Sequence, residues 1–281
     1  MGVIKNISLR LAYDGTEFYG FQRQSSLPSV QQHVEEALSG IYGRNIRIYG
    51  AARTDSGVHA RGQVVNFYGD DTIPVERLPY ALKGSLPPAI VVLSATLERE
   101  NFSVRHDNKG KHYRYTLVND GVPDPFMLRY AWYIRKPLNC ESMKEAASYL
   151  KGTHDFSAFE GANTTPMNPV KTMYGIFVVS KKNRIIIDVV GSGFLYHMVR
   201  NMAGALVDVG MGRKSSQRIE EILKGGDRRK LGATAPAQGL CLEEVYYSSE
   251  RLNQALVALE AGLDTCLLYT SPSPRDGLLS R

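Results

Sequence analysis

The chain has 281 residues, is 43% hydrophobic and 22% charged, and carries a net charge of +6. Those proportions exclude disordered and fibrous classes and allow one large core or two modest ones. A modest basic balance admits a phosphate-rich partner without requiring one.

Taken in chain order, MGVIKNISLRLAY alternates apolar and polar residues instead of forming an apolar leader, and Asn6 stands where a myristoylation signal needs Ser or Thr. NISLRLAYDG (6–15) reads as a strand closing on an Asp-Gly turn. Ser29 and Gln32 then form a capping box ahead of a helix whose apolar face is Val30, Val34, Ala37, Leu38 and Ile41. QVVNF (63–67) and IVVLSA (90–95) are strands. RHDNKGK (105–111) reads equally as a solvated linker and as a basic strip that touches nucleic acid.

HYRYTLVNDG (112–121) repeats the first pattern, again strand then Asp-Gly turn. Met143, Ala146, Ala147 and Leu150 share a helix face with Gly152 as its stop, and GIFVV (175–179) and RIIIDVV (184–190) are strands. A third helix spans 197–209, with Met198, Met202, Leu206 and Val209 at helical spacing, and a fourth spans 219–224 before Gly225 and Gly226. Strands and helices mix without strict βαβ alternation, which predicts an α+β fold with antiparallel-rich sheets backed by helices. The expected division is 1–108 and 109–265.

The last stretch, CLLYTSPSPRDGLLSR (266–281), resembles the translation of a transposase-type sequencing adapter. It is expected to be non-native read-through, placing the native C-terminus near Thr265. Setting it aside removes Cys266 and leaves Cys140 and Cys241 isolated, a usage that fits reduced thiols in the cytoplasm. No stretch approaches the roughly 18 apolar residues of a membrane span.

The chemistry concentrates in GAARTDSGVHARGQ (50–63), where Asp55 shares a short loop with Arg53, His59 and Arg61 ahead of a buried-looking strand. A turn aspartate is the ordinary explanation of Asp-x-Gly. Other chemistries lack their residues. The six His have no Cys partner and no HExxH context; GSGFLY (191–196) lacks the third glycine of a dinucleotide fingerprint; no GxxxxGK[ST] and no GxSxG occurs. DSG at 55–57 has no second copy to supply the paired carboxylates of an aspartic protease. A glycosidase needs two carboxylates, but a reaction at a glycosidic carbon in which the base is not lost to water could manage with one.

Six pieces extend this loop over most of the chain: YDGTEFYGFQRQ with SVQQHVEEAL, RTDSGVHARGQVVNF, KGKHYRYTL, GTHDFSAF, GSGFLYHMVRNMAG and GATAPAQGLCLEEV. In that order they resemble the TruA family of tRNA pseudouridine synthases. The resemblance implies a cofactor-free enzyme that isomerises uridine to pseudouridine at positions 38, 39 and 40 of the tRNA anticodon stem-loop. It also implies two RRM-like halves forming one extended, mostly antiparallel sheet, a catalytic cleft between them, and a homodimer.

Residue by residue, Asp55 aligns with the family's catalytic aspartate, which must be ionised to attack the ribose C1′ or remove the 2′ proton. Arg200 matches the arginine expected to pair with it. Tyr113 matches the tyrosine that stacks on the target base, and Arg53 the arginine thought to fill the space left when the base flips out of the helix, as it must for the bond to be remodelled. Ala52 and Ser56 depart from the usual glycine and alanine. Arg23, Arg61, Lys109 and Lys111 are further candidates for RNA contact. The rival reading is a non-catalytic structured-RNA-binding protein of the same fold.

Overall fold

The computed structural model describes residues 3–70, 72–120, 122–161 and 168–263, so the stretch expected to be non-native (266–281) lies outside the described residues, as does Gly121 of the second Asp-Gly pair. The first part of the chain supplies β1 (Lys5–Tyr13), α1 (Val30–Tyr42), β2 (Tyr49–Gly50), β3 (His59–Gly69), α2 (Leu78–Lys83) and β4 (Ile90–Leu97). Then come β5 (Gly110–Val118), β6 (Trp132–Tyr133), α3 (Cys140–Ser148), β7 (Gly152–Asp155), β8 (Val170–Lys181) and β9 (Arg184–Gly191). The last elements are α4 (Met198–Gly210), α5 (Gln217–Gly225), β10 (Leu240–Tyr246) and α6 (Ser249–Glu260).

Among the described residues all the strands join one ten-stranded sheet ordered β4-β1-β3-β10-β5-β9-β8-β7, with β2 added to β3 and β6 to β5. The pairing is antiparallel except between β3 and β10 and between β5 and β6. The fold is therefore α+β with a large, mostly antiparallel sheet. The early strands meet the late ones at β3–β10, whose ladder consists of Cys241↔His59 and Leu242↔Ala60. Within the later part, β5 and β9 pair along their whole length, from Lys111↔Gly191 to Val118↔Arg184.

Local sequence explains most boundaries. The Ser29 hydroxyl accepts the Gln32 N–H at 3.3 Å and starts α1, and Gly43 ends it at φ +62°. The reciprocal half of the predicted capping box is not made, because the Gln32 amide bonds Glu36 at 3.0 Å instead. Ile41 is only half-buried and Tyr42 takes the inward position at the helix end. Burial along β1 does not alternate as its sequence suggests. Asn6 and Ser8 are buried too, because the 98–102 segment covers their face: Asn6 Nδ2 donates to Phe102 O at 2.8 Å and Ser8 to Glu98 at 2.7 Å.

Asp14 and Gly15 close β1 without making a hairpin; β1 pairs instead with β3 and β4. Gly15 is pressed so closely on the Asp55 loop that an added Cβ would stand 2.0 Å from Val58 O. The α3 helix stops at Ser148, before the predicted glycine, and Gly152 at φ +108° opens β7. The α4 helix is apolar nearly all round and correspondingly buried from Met198 to Gly210.

Candidate active site

Asp55 lies on the loop between β2 and β3, and that loop is fixed residue by residue. The Ala51 N–H donates to Val64 O at 2.8 Å, and Gln63 brackets Ala52 by accepting its N–H at 3.2 Å and donating to its carbonyl at 2.8 Å. The Thr54 hydroxyl meets Tyr13 Oη at 2.7 Å and the Thr54 carbonyl accepts Phe21 N–H at 3.0 Å. Gly57, at φ +77°, supplies the left-handed turn and donates to Phe18 O at 3.3 Å. Gly20 approaches closely enough that a Cβ there would sit 2.9 Å from Thr54 O. YDGTEFYGF is thus the second wall of the Asp55 loop, which gives that motif a physical task. Both departures fit: Ala52 is buried in its bracket, and Ser56 Oγ donates to Phe18 O at 3.3 Å.

Arg200, in the first turn of α4, reaches across the seam between early and late strands and donates from Nη1 to Asp55 Oδ2 at 3.1 Å. Its Nε donates to Ala235 O at 2.8 Å, and its own carbonyl accepts the Ala235 N–H at 3.2 Å. The GATAPAQG segment carrying Ala235 is tied down on both sides, by Thr234 to Asn201 at 2.6 Å and by Tyr115 Oη to Pro236 O at 2.7 Å. Gly204 lets it lie against the helix, since a Cβ there would stand 2.2 Å from Ala233 O. The last sequence motif therefore positions the guanidinium that orients Asp55. Two fixed points on a planar fork leave that guanidinium little freedom.

A cleft of about 570 Å³ opens over this pair, lined from one side by Arg53, Thr54 and Asp55 and from the other by Tyr113, Phe194 and His197. Tyr113 is buried, its ring edge-on to Phe194 with centroids 5.0 Å apart. Burial, reinforced by Tyr13 and Asp55 nearby, pushes its phenol well above the ordinary value, so the hydroxyl keeps its proton at neutral pH. Arg53 is exposed on the loop at the cleft wall. The structure thus brings Asp55, Arg200 and Tyr113 together, with Arg53 beside them. Among the described residues no group bonds Asp55 Oδ1, so one carboxylate oxygen is held and the other is open to a ligand.

Sequence reasoning missed His197. Its Nε2 lies 3.5 Å from Asp55 Oδ2, and the residue precedes α4 in a left-handed conformation (φ +58°) with its ring stacked on Tyr196 at 3.8 Å. Burial lowers its imidazole below the usual value, outweighing the Asp55 carboxylate, and Arg200 and Arg228 lower it further. The available signal was its place three residues before Arg200 in FLYHMVRN.

The other loop charges go elsewhere. His59 and Arg61 line a separate cleft of about 330 Å³ with Arg114 and Tyr130, and Arg61 lies 3.9 Å from Glu243. They do not flank the Asp55 carboxylate as the sequence suggested, because His59 and Arg61, two residues apart on β3, share one face of the sheet, and that face opens on the second cleft. Arg23 is committed to Glu35 at 2.9 Å and Glu36 at 3.2 Å. Lys109 is exposed, whereas Lys111 lines the Asp55 cleft together with Arg105 and Lys171. Lys171 carried no motif at all. Among the described residues no helix is long and apolar enough to cross a membrane.

The chain matches the model of the tRNA pseudouridine synthase family over residues 11–107 and 146–248. A protein of Thermoanaerobacter sp. (strain X514) named tRNA pseudouridine synthase A is 41% identical over 244 residues, covering 87% of this chain and 100% of that one. A protein of the same name from Brevibacillus brevis (strain 47 / JCM 6285 / NBRC 100599) is 42% identical over 244 residues, with the same coverage of both chains. Among solved structures, a Cbf5-Nop10-Gar1 complex overlays at a TM-score of 0.34 and 11% identity, covering 91% of this chain and 57% of that one, too loosely to bear on fold or activity.

Proposed function

The chain belongs to the tRNA pseudouridine synthase family and isomerises uridine in tRNA; we propose that Asp55 is the carboxylate that acts on the target nucleotide and that the target lies at positions 38, 39 and 40 of the anticodon stem-loop. The single observation that carries this is the state of Asp55, with Oδ2 held by Arg200 at 3.1 Å and Oδ1 open beside a buried tyrosine in a cleft. An oriented acid with one free oxygen can attack C1′ or take the 2′ proton, and either route releases uracil from the sugar without loss of material. The N1–C1′ bond breaks, a C5–C1′ bond replaces it, and the C5 proton is lost as N1 gains one. Nothing in that balance needs a metal or a nucleotide cofactor.

Tyr113 takes the base on its ring face in this reading, and Arg53 occupies the gap left in the stem. Flipping costs a few kcal/mol, which contacts of this kind offset. The division at residues 108 and 109 fits the short β3–β10 ladder, where the early strands end and the site is shared. A homodimer acting in the cytoplasm completes the proposal; a second copy would cover apolar side chains such as Phe126 and Val122, which stand 86% and 76% exposed.

The test is incubation of the purified protein with an unmodified tRNA transcript, without metal or nucleotide, followed by carbodiimide mapping of pseudouridine. Product confined to the anticodon arm is the expected result. Product elsewhere in the tRNA overturns the positional assignment, and wild-type rates from Asp55→Asn overturn the catalytic one.

A further inference from the structure

One wall of the cleft remains unused by this account. Arg105, Lys111 and Lys171 line it from three different segments, the loop before β5, the strand β5 and the start of β8. They share the cleft with Arg53 and with Asp55, the only carboxylate on the lining among the described residues. Among the described residues none of the three has an ion-pair partner. This is an unusual state for Lys111, whose side chain is mostly buried: burial, and after it Arg105 and Lys171, lower its amine to about 8. A protein that wanted only a packed strand could place an uncharged residue there at lower cost.

The fold brings these charges together. Lys111 pairs in the sheet with Gly191, and Gly191 pairs with Met173 of β8, two residues from Lys171. A Cβ at Gly191 would stand 2.6 Å from Met173 Cε and 3.1 Å from Thr172 O, so the two strands lie close there. Gly193 leaves the adjoining wall bare, with only Lys171 Cδ within van der Waals reach of a Cβ, at 3.8 Å. Lys111 also lies two residues from Tyr113 on one face of β5, about 7 Å along the strand. That separation is within the reach of one nucleotide.

We propose that Arg105, Lys111 and Lys171 form a receiving site for one backbone phosphodiester of the substrate RNA, the one adjoining the nucleotide drawn into the Asp55 cleft. The site sets how deep the flipped nucleotide sits, because a phosphate caught there fixes the distance from its sugar to Asp55. It rests on the reading of Asp55 as the catalytic group for its choice of nucleotide, but not for its choice of ligand. The recognised chemistry is a dispersed negative charge with several acceptor oxygens, which three converging donors match and a lone carboxylate does not.

The experiment measures binding, so it stands whether or not turnover is seen. Titrate the full chain with a tRNA transcript across salt, as wild type and as Lys111→Gln, Lys171→Gln and Arg105→Gln. Each variant is expected to bind about tenfold more weakly and to flatten the log–log salt slope by about 0.7 to 1. Then compare synthetic anticodon-arm hairpins carrying one neutral methylphosphonate at successive positions. At a phosphate flanking the target uridine, the wild type should lose affinity and Lys111→Gln should lose nothing more. Equal losses in wild type and variant at every position overturn the proposal, as do unchanged salt slopes. Melting curves guard against misfolding. Relieving one of three like charges should leave or raise the melting temperature of free Lys111→Gln, whereas a marked fall would mean a structural role and would also overturn it. Wild-type binding with this coupling but no pseudouridine would leave the phosphate site standing and remove the catalytic reading.

Discussion

Two aspartates in this molecule each meet one arginine and one histidine, and the two sets end in opposite states. Asp188, on β9, is 3% exposed and takes bonds from His112 at 2.6 Å and from Arg114 at 2.8 and 3.2 Å, so both its oxygens are occupied. Burial pushes its carboxyl up, but the His112 and Arg114 contacts outweigh that and hold it below the usual range. Asp55 takes Arg200 at 3.1 Å and lies 3.5 Å from His197, both on Oδ2, and is open to a cleft on the other oxygen. The first set is a tie between strands β5 and β9; the second is a tie with a vacancy. Residue types alone do not separate structure from chemistry. What separates them is which atoms the fold leaves without a partner.

Removing one charge from each set should separate the two roles by the widest margin. Asp55→Asn should keep the fold and keep tRNA affinity within a few fold, while pseudouridine formation falls by more than about a thousandfold, because no neighbour can supply the lost chemistry. Asp188→Asn should do the reverse. It sets buried His112 and half-buried Arg114 against a neutral amide and should cost about 3–5 kcal/mol of stability, read by denaturant melts. Activity per folded molecule should survive at low temperature. The pH dependence follows from the depressed Asp188 carboxyl. Its contribution is present above the unfolded value of about 3.9 and is lost as pH falls through the lower folded value, so wild type should lose stability there and the variant should not. If Asp188→Asn melted like wild type, the buried set would not be a structural tie.

A smaller effect is expected where the charge is kept and the geometry lost. Arg200→Lys retains a cation near Asp55 but cannot hold Asp55 and Ala235 O together from one planar group. Losing one charge-assisted bond of about 1.5–3 kcal/mol predicts a 10- to 100-fold fall in kcat with KM little changed. A change confined to KM would mean that Arg200 serves binding and not the orientation of Asp55.

How much of this was legible in the sequence follows the same division between patterned and converged features. Elements with strong periodicity and punctuation were readable, as with α1 behind its Ser29 cap and α5 before Gly226. The α+β class followed from their mixture. Asp55, Tyr113 and Arg200 came as a set only through the family resemblance of the stretches that hold them; the close approach of Gly15 and Gly20 to the Asp55 loop and of Gly204 to Ala233 O gives two of those stretches, but not that of Tyr113, a steric reason for their sequence. Long-range convergence was not readable. Nothing local says that β10 slots between β3 and β5, that His59 and Arg61 turn to another cleft, or that Lys171 reaches the wall beside Lys111. Those facts depend on strand order and register, which a single chain of letters states only after it has paired.

Lys111 carries the comparison over to cations. Arg114 is locked on Asp188, whereas Lys111 waits in the Asp55 cleft facing Arg105, Lys171 and Tyr113, with Arg53 and Asp55 on the opposite wall. Its amine is lowered to about 8, so free protein sheds that proton as pH rises past 8, while a bound phosphate would hold it in place. Binding above pH 8 must then take up a proton, and affinity for tRNA should fall by about fivefold between pH 8 and 9. Tyr113 is pushed far above this window by burial and His197 is lowered beneath it, so neither produces the same limb. Stability of the free protein moves the other way. The buried charge is a cost below pH 8 that is relieved as pH climbs toward the unfolded lysine value of about 10.4. Lys111→Arg should keep most of the affinity and lose the pH limb, since guanidinium stays charged, and Lys111→Gln should be both weak and flat. A limb that persisted in Lys111→Arg would place the titrating group elsewhere in the cleft, and Lys111 would then be an unpaired cation without a partner in the complex.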